Sequence, residues 1–323
     1  MKRVLLVGNF GVGNFGDEAL RTYFTDTFRS VDWVVVSACP AAGELPRLPA
    51  GLRSFLSFRW IRTFRVYRTC SGVVFGGGSL FTDTESSEAC LLWWIHAFAA
   101  WFFSKPYHLA FQGFGPFRTA FGRWCARWAL CHAASVSVRD EASLLRAESL
   151  VKNKKIVQTF DPIFCLFKAN DYEICSKKIL VAIPRRNSSA TFAERYEVHR
   201  RSGLWDAIGV LSLQPDDPME QETCARLMVG DPVRADTVPI RTAEALIRAV
   251  SQGSSVLSER FHGALAALAL GVSLEIVPQR AGDKLDALRG LIASGRADPE
   301  HLRELVRAGE EALRNALGEA DWS

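Results

Sequence analysis

Short aliphatic and β-branched runs recur along the chain, each followed by a longer stretch with helical spacing of its apolar positions. Val4–Val7, Trp33–Ser37, Gly72–Phe75, His108–Phe111, Ser135–Val138 and Ile156–Thr159 read as strands, with amphipathic segments such as Glu18–Phe28 and Arg118–His132 between them. Strand–helix alternation of this kind predicts a parallel sheet covered on both faces. A second set, Ile179–Ile183, Ile208–Ser212, Arg234–Val238, Ser255–Leu257 and Ser273–Val277, follows the Lys-rich stretch around Lys168–Lys178. The pattern predicts an α/β protein of two doubly wound domains facing a cleft, residues 1–173 and 174–323. The chain closes with an amphipathic helix. Asp298 caps it, Pro299 opens it, Leu302, Leu305, Val306, Leu313 and Leu317 form one apolar face, and Gly318 ends it.

Composition narrows the classes. Of the 323 residues 48% are hydrophobic and 23% charged, as in a globular protein able to bury a core without staples. A net charge of +4 is too small to point to nucleic acid. The eight cysteines, Cys175 among them, are scattered without a Cys-x-x-Cys pair, which predicts buried free thiols, a reducing compartment and no bound metal. The start of the chain has only a short apolar run before glycines and reads as a first strand, so a cytoplasmic protein is expected.

Two segments admit two readings each. Ala89–Phe103 is apolar and Trp-rich, yet shorter than the roughly 20 residues a spanning helix needs. Arg59, Arg62, Arg65 and Arg68 recur among Phe55, Phe58, Trp60, Ile61, Phe64 and Tyr67. One reading is a buried helix beside a solvated arginine face. The other is peripheral contact with the inner face of a membrane, where an acceptor carried on a lipid would be found.

Ligands of open parallel sheets sit at the carboxyl ends of the strands, so the loops there hold the candidates. After the first strand, Gly11, Gly13 and Gly16 match the dinucleotide fingerprint in spacing. A nicotinamide site also wants an acid at the end of strand two, and that strand ends Val36-Ser37-Ala38-Cys39. Asn14 and Asp17 suit a hydroxyl-rich ligand better than a pyrophosphate. Asp17 reads equally as a helix cap. Gly76-Gly77-Gly78-Ser79 after strand three predicts a tight turn with exposed amides. Arg139, at the end of the fifth strand, suits either an anion or an internal ion pair with Asp140 or Glu141. Finally, Ser258-Glu259-Arg260-Phe261-His262-Gly263 joins a strand to a helix of small residues, placing His262 in the first turn. With Lys284 downstream, Arg139, Arg260 and His262 make an anion site with a titratable proton donor.

The ordered motifs GNFGVGNFGDEAL, FGGGSLFTD, FQGFGPF, VRDEAS, FDPIF, LSLQPDDP, SERFHGALAALALGV and DKLDAL resemble the polysaccharide pyruvyl transferases over nearly the whole chain. The resemblance implies two Rossmann-like domains of GT-B-like architecture, with the acceptor on the first and the donor on the second. It implies a pyruvyl group moved from phosphoenolpyruvate onto a glycan or lipid-linked saccharide as a ketal, without metal or organic cofactor. Donor binding falls on Arg139, Arg260 and Lys284, proton transfer on His262, and Asp17 is the candidate at the acceptor hydroxyl. Gly13, Asn14, Gly16, Gly77, Gly78 and Ser79 would line the acceptor side. A GT-B glycosyltransferase using a nucleotide sugar and a non-catalytic carbohydrate-binding relative are the competing readings.

Overall fold

The computed structural model describes residues 2–84, 87–168, 177–229, 235–280 and 282–318. The domain boundary expected at 173/174, Cys175 and Ala281 lie outside them. Two compact units emerge. The first comprises the chain up to Val12, Leu20–Pro162 and the chain from Leu302; the second comprises Gly13–Ala19 and Ile163–His301.

The first unit is a seven-stranded sheet with strands paired in parallel throughout. In chain order its elements are β1 (Arg3–Val7), α1 (Phe15–Thr27, first turn in the second unit), β2 (Asp32–Ser37) and β3 (Leu45–Pro46). Then come α2 (Leu52–Leu56), α3 (Ile61–Thr69), β4 (Gly72–Phe81), α4 (Ser87–Phe102) and β5 (Tyr107–Phe114). α5 (Ala120–His132), β6 (Ser135–Val138), α6 (Glu141–Leu150) and β7 (Val157–Gln158) complete it. The spatial order is β3-β2-β1-β4-β5-β6-β7. The central strands are buried at nearly every position, all eight in β5 and all but Arg3 in β1 and Ser79 in β4, which is why they read as continuous apolar runs rather than alternating ones.

Three expectations change here. The glycine run after strand three is not a loop. β4 continues through it to Phe81, with a register irregularity against β5 between Gly78 and Phe81 and positive φ of 71° and 80° at Gly77 and Gly78. Only residues without Cβ take that backbone inside a strand at low cost. The arginine-rich segment, whose spacing suits one helix basic on one side and aromatic on another, forms two helices broken at Phe58, whose φ is 53°. And the last helix, α12 (Pro299–Leu317), groups from Leu302 onward with the first unit. Leu302, Val306, Leu313 and Leu317 are buried, the Tyr23 hydroxyl donates to Glu310 at 2.5 Å, and the Arg314 guanidinium donates to the Thr27 carbonyl at 2.7 Å.

His96, the one polar residue interrupting the apolar stretch, is a core residue. Leu48 N–H donates to its Nε2 at 3.0 Å, so the ring proton sits on Nδ1, 2.7 Å from the Tyr67 hydroxyl. Burial, with the Arg47 charge adding to it, holds its pKa down to about 3, so it stays neutral.

The second unit is a five-stranded parallel sheet in the order β10-β9-β8-β11-β12. Its elements are β8 (Ile179–Ile183), α7 (Ala190–Arg201), β9 (Ala207–Ser212), α8 (Pro218–Met228), β10 (Ala235–Pro239) and α9 (Ala243–Ser251). They continue with β11 (Ser255–Ser258), α10 (Phe261–Leu270), β12 (Ser273–Ile276) and α11 (Lys284–Ala293). Leu180, Ala182, Phe192, Tyr196, Ile208, Val210 and Leu257 form its core. Crossing out from β8 and back to β11 reverses the strand order, and the loops at the carboxyl ends there carry the chemistry-bearing residues.

Candidate active site

β11 ends at Ser258, and α10 begins at Phe261 after two intervening residues. The Ser258 hydroxyl donates to the Arg260 carbonyl at 2.8 Å and accepts from the Arg260 N–H at 3.1 Å, which fixes the turn. Arg260 occupies the N-cap position with no side-chain cap bond, and no acid stands in the first turn of α10. The Arg260 guanidinium reaches back across the strand ends. Its Nη2 donates to Gln214 Oε1 at 3.0 Å and is ion-paired with Glu220, whose side chain is fully buried. Glu220 in turn accepts from the Ser212 hydroxyl at 2.9 Å and the Gln214 N–H at 2.7 Å. A buried carboxylate held by two hydrogen-bond donors is a fixed counter-charge for the Arg260 guanidinium.

His262 lies in the first turn of α10, its ring 5.5 Å from that of Phe261 and 6.1 Å, edge-on, from that of Phe15. The glycine loop is brought against it. A Cβ at Gly16 would lie 2.0 Å from His262 Cε1 and 2.2 Å from Nδ1, so only glycine permits this approach. The loop is anchored by the Phe15 N–H donating to the Leu213 carbonyl at 3.1 Å. Within it the Asn14 amide donates to Asp17 Oδ2 at 2.8 Å. Gly13, at a φ of 71°, lies beside Asp216, which forms a two-pronged pair with Arg241 at 2.6 and 2.7 Å. That hydrogen-bonded pair holds the Asp216 carboxyl below its ordinary pKa. Gly13, Asn14, Gly16 and Asp17 thus group with the second unit.

Lys284 opens α11, with its ammonium 5.0 Å from the centre of the Phe261 ring. A cation at a helix N-terminus opposes the helix dipole, whereas an anion there is favoured. Arg260 and Lys284 both break that local preference, and sites that break a local rule are where function is looked for. Asp283 caps α11, accepting from the Leu285 and Asp286 N–H groups. Arg185, just past β8, donates to Gln279 at 2.9 Å and adds another cation to the same ends of the sheet.

In the first unit Arg139 stands in the matching position after β6, but it is buried. Its Nη1 donates to Asp161 at 2.8 Å and its Nη2 to the Ser79 hydroxyl at 2.7 Å, while Asp140 lies 3.8 Å from Nε. The chief internal partner is Asp161, from the FDPIF segment, rather than Asp140, which instead caps α6 through the Ser143 N–H at 2.7 Å. Ser79 is held by Arg139, and Gly77 and Gly78 lie in the kinked part of β4.

A model of the polysaccharide pyruvyl transferase family matches residues 14–273. The chain belongs to that family. The match takes in the end of the glycine loop from Asn14, the Arg139 strand end and the Arg260–His262 turn, while Gly11, Gly13 and Lys284 lie outside it. No curated protein matches the sequence. Among solved structures, Anabaena HepE in complex with UDP-glucose is similar at 10% identity, over 99% of this chain and 100% of that one, with a TM-score of 0.61. A protein from Listeria monocytogenes, assigned as a UDP-N-acetylglucosamine 2-epimerase, matches at 13% identity over 97% and 87%, TM-score 0.58. Sucrose-phosphate synthase of Thermosynechococcus elongatus matches at 12% over 98% and 95%, TM-score 0.54. At such identities the likeness is one of fold: the chain shares the GT-B-type α/β architecture.

Sequence reading missed Glu220, Gln214, Asp161 and Arg185. An acid on a polar helix such as α8 looks like a surface residue, and only packing shows that Glu220 is buried beneath Arg260. Among the described residues no group of His, Cys, Asp and Glu is arranged to hold a metal ion.

Proposed function

We propose that this pyruvyl transferase moves the pyruvyl group of phosphoenolpyruvate onto two hydroxyls of a glycan or lipid-linked saccharide, forming a ketal. The observation that carries the reading is the cluster of Arg260, His262 and Lys284 around the start of α10, where the positive end of the helix and two cations favour an anion and a titratable ring stands among them. The carboxylate and phosphate of the donor would lie against Lys284, Arg260 and the first-turn amides. Arg139, locked between Asp161 and Ser79, would act by holding the glycine-bearing end of β4 in place.

The imidazolium of His262 gives its proton to the methylene carbon, leaving cationic character on the carbon bearing the phosphate. A sugar hydroxyl adds there as its proton passes to Asp17. The phosphate leaves with the electron pair of its carbon–oxygen bond and takes the Asp17 proton. A second hydroxyl then closes the ketal, and its proton restores the imidazolium. One positioned acid contributes roughly 10²–10⁴-fold to rate.

The test is calorimetric titration with phosphoenolpyruvate, with UDP-glucose as the control, alongside turnover of wild type and His262→Ala. Selective binding of phosphoenolpyruvate and a loss of turnover of about 10²–10⁴-fold in a folded variant support the reading. Selective binding of the nucleotide sugar would hand it to the glycosyltransferase. Sugar binding without turnover in the wild type would mark a non-catalytic relative.

A further inference from the structure

The charge of the chain is unevenly spread. Between Glu44 and Asp140 there are eleven lysines and arginines against three acids, Asp83, Glu85 and Glu88. The whole chain is only +4, so the remainder is net acidic. Asp83 does not face solvent: it is buried, accepting from the Thr119 hydroxyl and N–H and from the Arg118 N–H. Arg139 is buried against Asp161 and Arg47 lies over the Trp93 ring, but most of the other basic side chains of this segment are exposed.

The same segment exposes large aromatic rings. α4 buries Cys90, Trp93, His96, Ala97, Ala99 and Ala100 and turns Phe98, Trp101 and Phe102 outward, with Phe102 58% and Trp101 49% exposed. On the neighbouring α5, Trp124 is 47% exposed. The rings run on from one another. Phe121 stacks with Trp124, Trp124 meets Trp94 at 5.2 Å, and Trp94 stacks with Phe98. Phe98 meets Phe102, Phe102 meets Phe103, and Phe103 meets Phe64 of α3 at 4.9 Å. Trp60 and the exposed Phe55 extend the line to α2. Exposed arginines border it at both ends: Arg53, Arg59, Arg62 and Arg65 on the α2–α3 side, Arg123 and Arg127 on α5.

We propose that this face of the first unit docks on an anionic lipid bilayer. Trp and Phe rings half out of the protein suit the headgroup–acyl boundary, and arginines around them suit a negative leaflet. A second copy of the chain fits less well, because a two-fold dimer would set the arginine rim against itself. No helix among the described residues is long and apolar enough to cross a membrane, so the contact is one of surface seating. The inference does not rest on the donor or the reaction, and its test is independent of both.

The test is co-sedimentation of the full chain with phosphatidylcholine vesicles, with and without phosphatidylglycerol, for wild type, Trp101→Ser/Phe102→Ser and Arg123→Gln/Arg127→Gln. All four positions are exposed, and circular dichroism confirms that each variant is folded. The wild type should partition onto phosphatidylglycerol vesicles and release with added salt. The aromatic pair should cost about ten-fold or more in partitioning. Each arginine should cost about five-fold. Absence of binding to anionic vesicles, or equal binding by wild type and both variants, would overturn the proposal. So would sedimentation velocity showing a wild-type dimer that Trp101→Ser/Phe102→Ser dissociates, with no vesicle binding.

Discussion

Two turns in this protein can be laid side by side: Ser137-Val138-Arg139-Asp140-Glu141 in the first unit and Ser258-Glu259-Arg260-Phe261-His262 in the second. Each leads from a parallel strand through an arginine into a helix, and each arginine is paired with a buried carboxylate, Asp161 in one and Glu220 in the other. They part at the helix start. α6 is closed by its own acids, Asp140 at the N-cap and Glu141 in the first turn. α10 has no side-chain cap and no acid, with Arg260 and His262 in their place and Lys284 nearby. One terminus carries the chain's own acids at its positive end, and the other carries cations there instead. Topology alone does not make a site; the choice of residues at the cap does.

The comparison can be broken at three places. The largest effect is expected from Asp161→Ala, which strands the buried Arg139 charge. Unfolding in denaturant should show a loss of ~3–5 kcal/mol. A change under ~1 kcal/mol would mean that Arg139 finds solvent or a ligand instead, and that the two arginines are more alike than their surroundings indicate. Next comes Lys284→Gln, an exposed substitution that keeps the stem over Phe261. Phosphoenolpyruvate binding measured by calorimetry should weaken by about ten-fold, the scale of one charge-assisted contact, with thermal stability unchanged. Unaltered affinity would remove Lys284 from the anion site. The smallest effect is Asp140→Ala, which opens the terminus of α6. Stability should fall by ~1 kcal/mol through the lost cap, and phosphoenolpyruvate affinity should stay as it was. A gain of anion binding in that variant would show that capping alone separates the two turns.

Much of this was legible in the chain. The strands of both sheets stand out as apolar runs because parallel strands are buried on both faces, and the order of motifs placed the chain among the pyruvyl transferases. The Arg260–His262 turn was visible because small residues follow a strand ending in charged ones. The last helix, with its Asp298 cap and Pro299 start, was readable in its bounds, since caps and apolar spacing are local. The readings that changed depend on distant contacts. Gly77 and Gly78 announce an unusual backbone, but whether it lies in a loop or inside β4 depends on pairing with β5. An apolar face on α12 does not say what it will cover. Nor does the Trp-rich stretch say which of its rings turn outward.

By itself, then, the sequence determined the elements, their parallel arrangement and the residue types gathered at the strand ends, because periodicity, propensity and capping act over a few residues. Tertiary structure alone decided that Glu220 lies under Arg260 and Asp161 beside Arg139, that Gly16 abuts His262, and that a line of aromatic rings is left uncovered beside arginines. Those pairings join residues up to hundreds of positions apart, and burial and the local dielectric, which set what a charge is worth, exist only once the chain has packed.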